Sequence, residues 1–129
     1  MTRRLFTLGM IFILSALVYA QDKNSVKLNG YLIDNACAGA HAKDATFKDR
    51  VKKHSTSCAL MPNCAKAGYA LFTADGQLYK FDEPGNKSVE ALLKETETKA
   101  GVSVAVEGTL EGDTIHVTKI AEVKAEAGQ

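Results

Sequence analysis

The chain has 129 residues, with 16 Lys and Arg against 15 Asp and Glu and a formal net charge of +1. That near balance gives no electrostatic case for nucleic acid or for an anionic membrane surface. The length suits one small domain with a modest core, and three cysteines cannot all pair within one chain.

Met1 to Ala20 has the three parts of a signal peptide. Arg3 and Arg4 form a basic start, Leu5 to Leu17 is nearly unbroken apolar sequence, and Val18-Tyr19-Ala20 supplies the small residues of a cleavage site before Gln21. The apolar stretch is shorter than the roughly 20 residues a membrane-spanning helix needs. Cleavage after residue 20 leaves 109 of the 129 residues, with 14 basic side chains against 15 acidic. The expectation is a secreted or periplasmic protein, free of the membrane once its signal is removed.

Gln21 to Ser25 is a polar lead-in, and Val26 to Asp34 reads as a first strand with Gly30 at a bend or bulge. Asn35 to Gly39 breaks it. Asp44 to Lys53 is helical, with Phe47 and Val51 four apart on one face. Ser57 is placed to cap a further helical stretch from Cys58. Pro62 interrupts or restarts that helix, because proline fits a first turn but not an interior, and Gly68 stops it.

Tyr69 to Thr73 and Gln77 to Phe81 form a hairpin through Ala74-Asp75-Gly76. Glu83-Pro84-Gly85-Asn86 reads as a turn. Ser88 to Glu97 is a helix with Val89, Leu92 and Leu93 on its buried face, ended by Gly101. Val102 to Leu110 alternates as a strand, with Val102, Val104, Val106 and Gly108 on one side. After the turn at Glu111-Gly112-Asp113, Thr114 to Val123 alternates again. There the apolar side slips between Val117 and Ile120, which predicts a bulge or twist late in the strand. Lys124 to Gln129 reads as a frayed tail.

This order predicts a mainly β (α+β) domain over residues 21–129. It has the strand order of an OB-like five-stranded barrel. A cysteine-bearing helical insert at about residues 35–68 separates strands 1 and 2, and a helix separates strands 3 and 4. Open α+β sandwiches fit the same string.

The chemistry gathers in the insert. His54 and Cys58 are four apart and share one face if a helix begins before His54. Cys64 is six beyond Cys58, about 240° around a continuous helix, so the break at Pro62 is needed to bring it back. Cys37, just after the first strand, completes a Cys37, His54, Cys58 and Cys64 set. Three sulfurs and one imidazole suit zinc, or Cu(I) given soft ligands, with His41 and Met61 as further candidates. Asp34 ends the first strand as a turn former, or as a carboxylate orienting His41 or His54.

Two other readings stay open. An oxidising compartment favours a disulfide, Cys37 with Cys64 or Cys58 with Cys64, and a leftover thiol. A free Cys58 beside His54 is a candidate reactive thiol. No two-residue thioredoxin-type cysteine spacing, haem-attachment motif or nucleophile elbow is present. Tyr69, Phe72, Tyr79 and Phe81 lack the basic groove of a nucleic-acid platform and fit core and half-exposed sheet positions. His116 falls on the polar side of the last strand.

The stretch Gly30-Tyr31-Leu32-Ile33-Asp34, then Cys37, then His54-x3-Cys58-Ala59-Leu60-Met61-Pro62-Asn63-Cys64 and Gly68-Tyr69, resembles a family of small exported bacterial proteins. The similarity extends through Asp75-Gly76, Lys80-Phe81-Asp82, Gly85-Asn86 and the final hairpin. The resemblance implies export and a cysteine pattern, and it brings no activity and no catalytic residue. The resulting expectation is a non-enzymatic envelope module that binds a small ligand or metal ion. The alternatives are a thiol-based redox protein or enzyme working through Cys58 or Cys64, and a disulfide-stapled interaction domain.

Overall fold

The computed structural model describes residues 24–124. The signal peptide expected over residues 1–20 and the tail from residue 125 lie outside the described residues. Within them, five strands form one mixed sheet: β1 (Ser25–Asp34), β2 (Tyr69–Thr73), β3 (Leu78–Phe81), β4 (Ser103–Glu111) and β5 (Thr114–Glu122). Four short helices, α1 (Asn35–His41), α2 (Phe47–Lys52), α3 (Thr56–Ala59) and α4 (Pro62–Ala67), lie between β1 and β2, and α5 (Glu83–Glu95) lies between β3 and β4. Helix and strand are about equal in extent, so the chain is α+β rather than mainly β. Among the described residues no helix is long and apolar enough to cross a membrane.

The long strand β1 organises the sheet. Its C-terminal half pairs antiparallel with β2, from Gly30 opposite Thr73 to Asp34 opposite Tyr69. Its N-terminal part pairs antiparallel with β4, from Ser25 opposite Thr109 to Tyr31 opposite Ser103. The β2–β3 and β4–β5 hairpins extend the ladder, and a short parallel pairing of β3 with β5 returns it in the order β1-β2-β3-β5-β4. The predicted slip in the last strand is present. Gly108 pairs with Val117 and Glu107 with Lys119, leaving Thr118 as the extra residue of a bulge.

Several helix boundaries differ from expectation, each for a local reason. Asn35 to Gly39 is helical because the Asp34 carboxylate caps α1 by accepting from the Cys37 backbone N–H. The cap of α3 is Ser55, whose hydroxyl accepts from the Cys58 N–H, and not Ser57. The expected turn over 83–86 is the first turn of α5: Asp82 caps it at the Gly85 N–H, and Pro84 occupies a position where its missing donor has no partner to lose. That helix ends at Thr96, not at Gly101. Pro62 does start a new helix, and Gly68, at φ 80°, ends it.

Two apolar clusters sit on opposite faces of the sheet. The inner one joins Leu32, Leu71, Val104, Val106 and Ile115 from the strands to Val89 and Leu93 of α5. The outer one joins Ile33, Ala70 and Phe72 to Ala38, Phe47 and Val51 of the insert. Leu32 and Ile33 are consecutive and fall in different clusters, as the two-residue period of a strand requires. With both faces covered, all five residues of β2 are buried. Phe47 meets Phe72 edge to face at 5.2 Å between ring centres, a pairing worth about 0.5–1.5 kcal/mol beyond its buried area.

Candidate metal centre

Four chain segments converge where β1 runs into the insert. The Sγ atoms of Cys37, Cys58 and Cys64 and a carboxylate oxygen of Asp34 all lie within 4.8 Å of one another. Cys37 comes from α1, Cys58 from α3 and Cys64 from α4, while Asp34 is the last residue of β1. The break between α3 and α4 supplies the geometry. Leu60 and Met61 interrupt the helical path, Pro62 restarts it, and Cys64 returns to the side of Cys58.

Of the four residues expected from the sequence, three converge. His54 is not among the converging ligand atoms. It lies between α2 and α3, so it does not share a helix with Cys58. Its Nε2 is 2.8 Å from Asp34 Oδ2, and a carboxylate accepts, so Nε2 carries the shared proton. Asp34 takes the place expected of His54, and His54 stands behind it.

Asp34 is fully buried, and the His54 side chain is nearly so. Oδ1 accepts from the Cys37 N–H at 2.8 Å while Oδ2 accepts from His54. Each oxygen keeps a further lone pair, so the carboxylate is held in one orientation and can still ligate. Its residue type gave no such signal, because a strand-end aspartate is ordinarily a turn former. The spacing Asp34-x-x-Cys37, a cap residue three before a cysteine, is the trace it left in the sequence.

The placement of His54 depends on a segment far away in the chain. The Gly101 N–H donates to the His54 carbonyl, the Thr56 N–H donates to the Lys99 carbonyl, and the Thr56 hydroxyl donates to the Thr98 carbonyl at 2.6 Å. Gly101 has φ 65°, and a Cβ there would stand 2.2 Å from the Lys52 carbonyl oxygen. Only glycine lets these backbones approach so closely. Below the site, the buried Tyr69 hydroxyl donates to the Ala59 carbonyl at the end of α3.

The thiols respond to this crowding. Burial, then the negative charge of Asp34 and its hydrogen bond, push the Cys37 thiol up to about 12. Burial and the same carboxylate raise Cys64 as well. Burial, with Glu90, Asp34 and Cys64 nearby, pushes the Tyr69 phenol up to about 12. Packing thiols against a buried carboxylate resists their ionisation, and a cation among them reverses that penalty.

The remaining candidates lie elsewhere. His41 places Nδ1 2.9 Å from Asp44 on an exposed corner. Met61 is 55% exposed. His116 is exposed, with Nε2 2.8 Å from Glu111 and Nδ1 3.3 Å from Asp82; its hydrogen bond to Glu111 is the main cause of its raised pKa. Tyr69, Phe72 and Phe81 are core residues and Tyr79 is half-buried. No family model, curated protein or solved structure matches the chain.

Proposed function

We propose that the protein is an exported, non-enzymatic binding module of the bacterial envelope with an OB-like frame, and that it holds one zinc or Cu(I) ion. The return of the strand ladder to β1 supports the frame. The observation that carries the metal reading is the convergence of three sulfurs and a buried carboxylate within 4.8 Å. Sulfur ligands about 2.3 Å from an ion lie about 3.8 Å apart in a tetrahedron, so the set must close by roughly 1 Å at most. Cys37, Cys58 and Cys64 are the thiolate ligands and Asp34 is the fourth. His54 is a positioning residue that fixes the carboxylate, the role commonly filled by the outer shell of a metal site. The carboxylate favours zinc, while the three sulfurs alone suit Cu(I).

A second reading rests on the same proximity. Sulfurs this close can pair, which would make the cluster a thiol-redox centre or a structural staple. The raised pKa of Cys37 counters its use as a nucleophile, since the thiolate is the reactive form. Titrating the reduced protein with zinc while counting alkylatable thiols separates the readings. Metal binding protects all three cysteines at one ion per chain. Full reactivity of one or more cysteines at saturating zinc contradicts the ligand set.

A further inference from the structure

The insert that builds the cluster is basic, and the rest of the molecule is acidic. Residues 35–68 carry six basic side chains, four of them Lys48, Arg50, Lys52 and Lys53 in or just after α2, against Asp44 and Asp49 alone. The other described residues carry seven basic side chains against eleven acidic. A pocket of about 560 Å3 opens on this basic side, and its wall includes Cys58, His54, Arg50 and Lys53, with Asp49 as its one acidic group. Among the described residues neither Arg50 nor Lys53 has an ion-pair partner within 4.0 Å. Cys58 is therefore a member of the sulfur cluster and also part of the wall of a positively charged pocket of small-molecule size.

We propose that this pocket receives the metal as a small anionic chelate of polycarboxylate type, and that Cys58 is the first sulfur to take the ion. This rests on the metal-binding reading above and adds the donor and its route. Arg50 and Lys53 hold the departing carboxylates, since guanidinium and ammonium groups match them in charge and hydrogen bonding. At Cys58 a zinc–sulfur bond forms as a zinc–carboxylate bond breaks. The thiol proton leaves to water or to the released carboxylate. Zinc stays divalent and no electron moves. Cys64, Cys37 and Asp34 then replace the remaining chelate ligands in the same way. The pocket's volume favours a small chelate over a protein surface as the donor.

The test uses zinc nitrilotriacetate, whose net charge at neutral pH is negative, and hydrated zinc as the second source. Arg50 and Lys53 are exposed and lie outside the ligand set, so R50E/K53E is compared with the wild type, with R50Q/K53Q as the milder pair. At low ionic strength, zinc uptake from the chelate is expected to slow about tenfold in R50E/K53E, less in R50Q/K53Q, and the difference to shrink as salt is added. Stoichiometry and affinity for hydrated zinc stay unchanged. Equal uptake rates from the chelate in proteins that all bind hydrated zinc overturn the docking role while leaving the metal site standing. Weakened binding of hydrated zinc in the variants also overturns it, because the two side chains then act on the site itself. A wild-type protein that binds no hydrated zinc removes the metal reading and this proposal together.

Discussion

Asp34 concentrates three duties in one carboxylate: it caps α1, it accepts from His54, and it faces the three sulfurs. Removing it by Asp34→Ala leaves the Cys37 N–H and the buried imidazole without their acceptor. The expected loss is about 3 kcal/mol in denaturant unfolding of the metal-free protein, the scale for leaving two such donors unsatisfied. His54→Gln separates positioning from ligation, because it removes the imidazole behind Asp34 and leaves all four converging atoms in place. Zinc affinity should fall about 10–100-fold, the usual cost of losing an outer-shell partner, with one ion still bound per chain. An unchanged affinity would leave His54 a purely structural partner of Asp34. The sulfurs were legible as a local group because Cys58, Pro62 and Cys64 are close in sequence. The exchange of Asp34 for His54 was not, since it depends on where residues 98–101 hold the His54 backbone.

At the scale of elements, locally encoded features were readable and tertiary ones were not. The β2–β3 hairpin follows from Asp75-Gly76, and the β5 bulge follows from the slip in alternation after Val117. Helix α1 was missed because Asn35, Gly39 and a run of alanines carry no apolar stripe; its cap and its packing against α4 define it. The start of α5 was missed because Pro84-Gly85 resembles a turn, although proline is well suited to a first helical turn. The link from α5 to β4 also carries an acid-sensitive clasp. Glu122 of β5 accepts hydrogen bonds from the Thr96 and Thr98 hydroxyls, and these bonds, the one from Thr98 foremost, hold its pKa below the usual 4.5. A depressed carboxylate pKa contributes stability that is present above the unfolded value and is lost as pH falls through the folded one. Glu122→Gln should therefore cost about 1 kcal/mol at neutral pH. Its deficit should narrow below about pH 4.5, as the wild-type carboxylate protonates. Unfolding curves at neutral and acid pH check both the size and the sign; a deficit constant across that range would contradict the clasp.

Taken whole, the molecule has a sheet with two covered faces and the cluster of Asp34 and three cysteines where β1 runs into the insert. The inner face is packed by α5 together with Ala59 of α3, and the outer face by α1 and α2 of the insert. Cys37 packs at the edge of the outer cluster, so the same insert that shields β1 and β2 also delivers all three sulfurs. Cys58→Ser and Cys64→Ser should accordingly lower the melting temperature of the metal-loaded protein more than His116→Ala, whose side chain is exposed on the far hairpin. Equal melting temperatures for all three would uncouple the cluster from the fold. Intact mass spectrometry of the natively purified protein, run under non-denaturing and then denaturing conditions, decides whether three reduced cysteines hold one metal ion. The first spectrum should show one zinc or copper ion per chain, and the second the mass of a chain with all three thiols reduced, if the ligand set is right. A metal-free chain lighter by two hydrogens, with one disulfide closed, would contradict it.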